Sequence, residues 1–144
     1  MPAARRTVEI AAPPDTVMAV ITDFAAYPSF LPEMQRVEVL HQAQDVWEVR
    51  FSVALVRPLT YTLRLVREGP LRLRWSLVEG AFQSNEGGWE LVPLAGGAAT
   101  QATYEIDVSV GMFVPGSLVR TLVEGSLPET LARFKQRAEA RVLV

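Results

Sequence analysis

Few residues in this 144-residue chain belong to types that do chemistry alone. It has no cysteine, which excludes disulfides, thiolate nucleophiles and thiolate metal sites. The one histidine, His41, removes the usual Ser-His and multi-histidine arrangements unless it acts as a sole base. It ends a Val-Glu-Val-Leu-His-Gln strand pattern, where a surface or edge histidine is the ordinary reading. What remains is a set of side chains with an apolar body and a polar tip. Trp47, Tyr61, Trp75, Trp89 and Tyr104 can stack on a ring or hydrogen-bond a ligand carbonyl. A further concentration is Asp23-Phe-Ala-Ala-Tyr27-Pro28-Ser29-Phe30-Leu31-Pro32. Its prolines restrict the residues before them, which pushes Tyr27 and Leu31 away from helical geometry. The segment is therefore either a plug for the core or the rim of a pocket for apolar ligands.

The elements that must carry these groups follow from periodicity. Thr7 to Ile10 alternates as a first strand starting near Arg5, and Ala12-Pro13-Pro14-Asp15 opens a helix with Asp15 as cap or first-turn acid. Asp23 closes that helix, and the Tyr-Pro/Leu-Pro segment follows as a loop or short second helix. From Arg36 the period becomes two. Val37 to Gln42 and Val46 to Leu55 form a hairpin, with Trp47, Val49, Phe51 and Val53 on one face. Leu59, Tyr61, Leu63 and Leu65 alternate next, then Leu71, Leu73, Trp75 and Leu77 after the Gly69-Pro70 turn. Gly80 to Gly87 reads as a polar loop carrying one exposed aromatic, Phe82, followed by a short strand from Gly88 to Val92. Ala102, Tyr104, Ile106, Val108 and Val110 give the inner face of a long last strand. Such alternation predicts an antiparallel sheet with one wet and one covered face.

The tail is helical, from about Pro115 to Val142. Val119, Val123, Leu127, Leu131, Phe134 and Ala138 make one amphipathic stripe, widened early by Leu118 and Leu122. Gly125 and Pro128 predict a bend or interruption between Glu124 and Pro128. Ser126-Leu-Pro-Glu129 also fits a restart.

Hydrophobic residues make up 49% and charged residues 21%, which argues against disorder. At this length a chain buries roughly 70% of its unfolded surface, and residues 1–144 are expected to form one domain. A net charge of -2 leaves no footprint for nucleic acid. The local basic cluster Arg64, Arg67, Arg72 and Arg74 alternates with Leu65, Leu71, Leu73 and Trp75, as the solvated face of strands does. No signal peptide or membrane-length apolar run is visible, so the expected location is the cytoplasm.

The order strand, short helices, antiparallel strands, long C-terminal helix resembles the helix-grip fold of the START-like polyketide cyclase/dehydrase superfamily. Asp23-x-x-x-Tyr27-Pro28-x-Phe30-Leu31-Pro32 is similar to the corresponding segment of its coenzyme Q-binding and ribosome-association-toxin branch. Gly87-Gly88-Trp89-Glu90-Leu91, Tyr104-Glu-Ile106-Asp-Val108 and Leu127-x-x-x-Leu131-x-x-Phe134-Lys135 also match. The resemblance covers nearly the whole chain and implies an α+β fold, a curved antiparallel sheet around a long, kinked helix. It also implies a deep apolar cavity between them that takes a lipid, quinone, sterol or polyketide; no cofactor is expected, and the absence of cysteine with a single histidine predicts no metal and no nucleophilic catalysis. Candidate wall residues are Phe51, Tyr61, Leu63 and Trp75 on the middle strands, and Trp89, Tyr104 and Val108 on the last two. Leu122 lies on the helix, and Tyr27, Phe30, Leu31 and Phe82 form the rim. Any domain of this size also needs a core, so Phe51, Leu63, Trp75 and Val108 are open to both readings.

Three functions fit the resemblance. The first is noncatalytic binding or carriage of a hydrophobic small molecule. The second is a polyketide cyclase, aromatase or dehydrase, for which only Tyr61, Tyr104 and an inward-turning arginine such as Arg50 or Arg64 offer proton chemistry. The third is a module like the ribosome-associated toxins, meeting a protein or, transiently, a membrane through the Tyr27–Leu31 rim or the Arg64–Arg74 strip.

Overall fold

The computed structural model describes residues 3–54, 58–109 and 116–142, with side chains described from residue 4 and, in the last segment, from residue 124. Strand β1 (Ala3–Ile10) leads into helix α1 (Pro14–Thr22) and a 3₁₀ turn (Phe24–Ser29). Strands β2 (Met34–Ala43), β3 (Val46–Ala54), β4 (Pro58–Arg67), β5 (Arg72–Gly80), β6 (Ser84–Leu94) and β7 (Ala99–Ser109) follow, and helix α2 (Gly116–Val142) closes the chain. The seven strands form one curved antiparallel sheet in the order β1-β7-β6-β5-β4-β3-β2. This is the expected helix-grip arrangement. Only the β1–β7 pairing joins distant parts of the chain. It runs from Ala3↔Asp107 to Ile10↔Thr100 and places the first strand beside the last.

Period-two patterning decides which face is covered. In β3 Trp47, Val49, Phe51 and Val53 are buried while the residues between them are half-buried. Leu63 and Leu65 in β4, Leu73 and Trp75 in β5 and Trp89 and Leu91 in β6 continue that face. Arg64, Arg72 and Arg74 lie exposed on the other side, while Arg67, opposite Leu73 at the end of β4, is exposed beside Asp45. His41 is exposed on β2, at the sheet edge, as its position predicted.

Helix α1 begins with Pro14 at its first turn, and Asp15 is a first-turn acid rather than a side-chain cap. Val17, Met18, Val20 and Ile21 bury its inner face. Tyr27 departs from expectation: although it precedes Pro28, it lies inside the 3₁₀ turn. Its hydroxyl donates to the carbonyl of Ile21, near the end of α1, where intrahelical donors have run out.

The C-terminal half of α2 is tied to the β1–α1 junction by polar contacts. Lys135 Nζ donates to the Glu9 carbonyl at 2.8 Å and to Glu139 at 2.7 Å. The Ala11 amide donates to the same Glu139 carboxylate at 2.8 Å, and Arg141 meets Asp23 at 3.2 Å. Lys135 first, and then the Ala11 amide, hold the Glu139 carboxyl below its ordinary pKa. Buried Leu127, Leu131, Phe134 and Ala138 supply the apolar stripe on this helix.

Two expectations need correction. The helix is continuous from Gly116 to Val142 with Pro128 inside it, so it neither breaks nor restarts between Glu124 and Pro128. Burial of Leu127 and Leu131 on either side offsets a proline cost of about 3 kcal/mol. The segment from Gly80 to Gly87 is not a loop either. Strand β6 starts at Ser84 and pairs with β7 from Ser84↔Ser109 onward, leaving only residues 81–83 to connect β5 and β6. The expected contributions of Leu118, Val119, Leu122 and Val123 lie outside the described side chains, as do Val110 and Pro115. Among the described residues, no helix is long and apolar enough to cross a membrane.

Candidate ligand-binding site

The covered face of the sheet is organised around glycines. Gly87 stands opposite Trp75, and a Cβ there would lie 2.6 Å from the indole and 2.2 Å from the Glu105 carbonyl oxygen. Only a bare backbone lets Trp75 lie across β6. On the outer face the neighbouring Gly88 lines a groove of about 150 Å³ with Arg72, Arg74, Glu86, Glu90 and Glu105. Its charged lining contrasts with the inner face.

β5 and β6 pair only from Arg72↔Glu90 to Trp75↔Gly87. Beyond that, Ser76–Gly80 stays with β4 while Ser84–Glu86 stays with β7, so the two strands part. The inner face near this parting is incompletely covered. Leu63 across from Leu77 is buried, yet Leu77, Tyr61, Tyr104 and Ile106 remain half-buried. Phe30, Met34 and Leu59 are half-buried in the same way against the core. These inward side chains keep accessible surface that an apolar ligand could cover.

Aromatic rings line this interior as one connected chain. Phe82 meets Tyr61 edge-on at 4.8 Å, and Tyr61 stacks on Phe51 at 5.5 Å. Phe51 neighbours Tyr27 at 6.2 Å, and Tyr27 meets Phe134 of α2 at 5.4 Å. Phe134 then reaches Trp89 at 5.1 Å, Trp89 reaches Tyr104 at 5.0 Å, and Tyr104 reaches Trp75 at 5.4 Å. The chain runs from Phe82, between β5 and β6, to Trp75 on β5.

Tyr61 and Tyr104 differ from Tyr27 in one respect. Tyr27 spends its hydroxyl on Ile21, whereas no hydrogen bond to a described residue engages the hydroxyls of Tyr61 and Tyr104. Burial raises the pKa of both, and the Glu33 carboxylate adds to the shift. A phenol already protonated at neutral pH is thus held further from ionising, which suits it to donate a hydrogen bond rather than to take a proton. Arg50 and Arg64 do not turn inward: Arg50 pairs with Glu38 at 3.7 Å, and Arg64 is exposed between Leu63 and Leu65. Among the described residues no group of three or more histidine or acidic side chains could hold a metal ion.

The predicted site residues other than Leu122, whose side chain lies outside the described ones, separate into three groups. Tyr27 and Leu31, expected at the rim, are packed into the core, with Leu31 only 1% exposed. Phe51, Leu63, Trp75, Trp89 and Val108 are buried on the inner face with the core. Phe30, Tyr61, Phe82 and Tyr104 are half-buried and accessible, so Phe82 is less exposed than its sequence suggested. Phe30 packs against Phe134 at 5.2 Å beneath the Arg137 guanidinium. Sequence reasoning missed Glu33, Phe24 and Asn85. Asn85 had a signal, being in phase with Trp89 and Leu91, but that phase disappears once the segment is read as a loop.

Residues 10–135 match the family model described as polyketide cyclase / dehydrase and lipid transport. A START superfamily protein from Mycobacterium smegmatis is 27% identical, with 97% of this chain and 96% of that one covered at a TM-score of 0.79. The Zhui aromatase/cyclase from Streptomyces sp. R1128 is 20% identical, with 96% and 92% covered at 0.79. A STAR-related lipid transfer protein from Xanthomonas axonopodis is also 20% identical, with 94% and 85% covered at 0.81. No curated protein matches the chain.

Proposed function

Because the chain belongs to the polyketide cyclase / dehydrase and lipid transport family, we propose that it binds a hydrophobic small molecule in the recess between the sheet and α2. The observation that carries this reading is the set of inward side chains that remain half-buried, Tyr61, Leu77, Tyr104 and Ile106, beside a continuous aromatic lining. Lipid, quinone and aromatic polyketide all suit such a surface, which offers ring stacking and two phenol donors. Entry is beneath Phe30 and the Phe82 connection. The lipid transfer neighbour supports carriage as the role.

A second reading, cyclisation of a polyketide, is favoured by the two unengaged phenols. Protonated hydroxyls at Tyr61 and Tyr104 would donate to the carbonyl oxygen that becomes the alkoxide of aldol closure, the α-carbon proton leaving to solvent water and the new hydroxyl taking its proton from a phenol that water re-protonates. The aromatase/cyclase neighbour supports this alternative.

Titration with a fluorescent fatty acid, paired with thermal melts, tests the binding reading. Saturable binding is expected in the wild type. Phe82→Ala should weaken it severalfold with little change in melting temperature, since its ring touches only Tyr61 among the described aromatic contacts. A large melting drop with unchanged probe affinity would return Phe82 to a plain packing role. No binding by the wild type would defeat the reading itself.

A further inference from the structure

Asn85 is the one amide side chain buried on the inner face, at 3% exposure, where apolar groups surround it. It pairs with Val108 in β7 and sits two residues beyond the last β5–β6 pair, Trp75↔Gly87. Continuing that register would have set Leu77 opposite Asn85, but the strands have parted there. The Trp75 indole N–H, a donor only, meets the Asn85 carboxamide oxygen at 3.1 Å. That contact fixes which way the amide faces: oxygen toward Trp75, nitrogen away from it. The amide NH₂ donates no hydrogen bond to a described residue. On a residue that is 3% exposed, such a donor gains most from an acceptor that a ligand brings.

We infer that the Asn85 carboxamide nitrogen is the polar recognition point of the recess and takes the carbonyl oxygen of an otherwise apolar, ring-bearing ligand. Trp75 acts as its positioning residue. The indole holds the amide oxygen, so the nitrogen is presented as a donor and cannot rotate to repel a carbonyl. Gly87 permits this, because any larger residue would displace the indole. Half-buried Leu77, Ile106 and Tyr104 offer the neighbouring apolar surface. The inference rests on the binding reading above and adds a chemical class to it: ketones, quinones and esters rather than plain hydrocarbons.

The test compares two fluorescent probes, an acyl-dimethylaminonaphthalene and its alkyl counterpart, which lacks the carbonyl. Wild type is expected to prefer the acyl probe by about tenfold or more, as for a buried donor that gains its partner. Asn85→Leu should abolish most of that preference while still binding the alkyl probe. The carbonyl stretch of the bound acyl probe should lie at lower frequency in wild type than in the variant. Trp75→Phe keeps Asn85 but frees its orientation, and is expected to lose part of the preference. It also serves as the test if Asn85→Leu does not fold. Equal preference and equal carbonyl frequency in wild type and the folded variants would overturn the assignment. Binding of neither probe by the wild type would instead defeat the binding reading, and this assignment with it.

Discussion

Replacing Phe134 by alanine is expected to lower the unfolding free energy by about 3–5 kcal/mol, the range for truncating a buried aromatic. Phe134 is 5% exposed and is the ring through which α2 joins the rest of the core. It meets Tyr27 at 5.4 Å, Phe30 at 5.2 Å and Trp89 at 5.1 Å, all three edge-to-face. Those neighbours belong to the 3₁₀ turn, the segment after it and β6, so collapse around the lost ring would have to move three separate elements. Each edge-to-face pair adds about 0.5–1.5 kcal/mol beyond area burial, which places the loss toward the upper end. Urea unfolding followed by far-ultraviolet circular dichroism measures it, with Val142→Ala, at a 48% exposed position, as the neutral control. A loss below about 1 kcal/mol would mean that α2 is held mainly by the Lys135–Glu139 contacts.

Gly87→Ala is expected to cost about 3 kcal/mol, at the top of the usual range for overpacking. The new methyl would lie 2.2 Å from the Glu105 carbonyl oxygen and 2.6 Å from the Trp75 ring. The side chain can retreat, but the backbone oxygen belongs to the β6–β7 ladder and can move only by disturbing it. Gly69→Ala is a poor comparison despite its open surroundings, because its φ of 71° strains any side chain. Gly125, exposed and with nothing near a built Cβ, is the better one, and alanine there should stabilise α2 slightly. Equilibrium unfolding of the Gly87 and Gly125 variants should move in opposite directions. A Gly87→Ala protein as stable as wild type would show that the close approach of Trp75 is not needed.

Most of the sheet was legible because burial on one face imposes alternation, as in Trp47, Val49, Phe51 and Val53. The start of β6 was not. Ser84-Asn85-Glu86-Gly87-Gly88 has turn composition, and its strand state comes from pairing with β7, a long-range contact that local propensity does not report. Pro128 misled only in allowing an interruption, since tertiary burial on both sides of it carries the helix across. The site was legible in part. Tyr61, Tyr104 and Phe82 stand out as aromatics in strands or irregular chain, and they remain accessible. Tyr27 and Leu31 look the same in sequence yet are buried, because the number of neighbours around a turn is set by the elements packed on it. Asn85 became readable only once its strand was known.

The central claim, that the recess holds a hydrophobic small molecule, is tested most directly by native mass spectrometry of the protein purified from its own host. The expected result is a population heavier than the chain by one discrete mass. That mass should leave on denaturation, partition into organic solvent and be displaced by excess fluorescent fatty acid. A chain of bare mass that also takes up nothing from a saturating mixture of fatty acids, sterols, quinones and aromatic ketones would contradict the account.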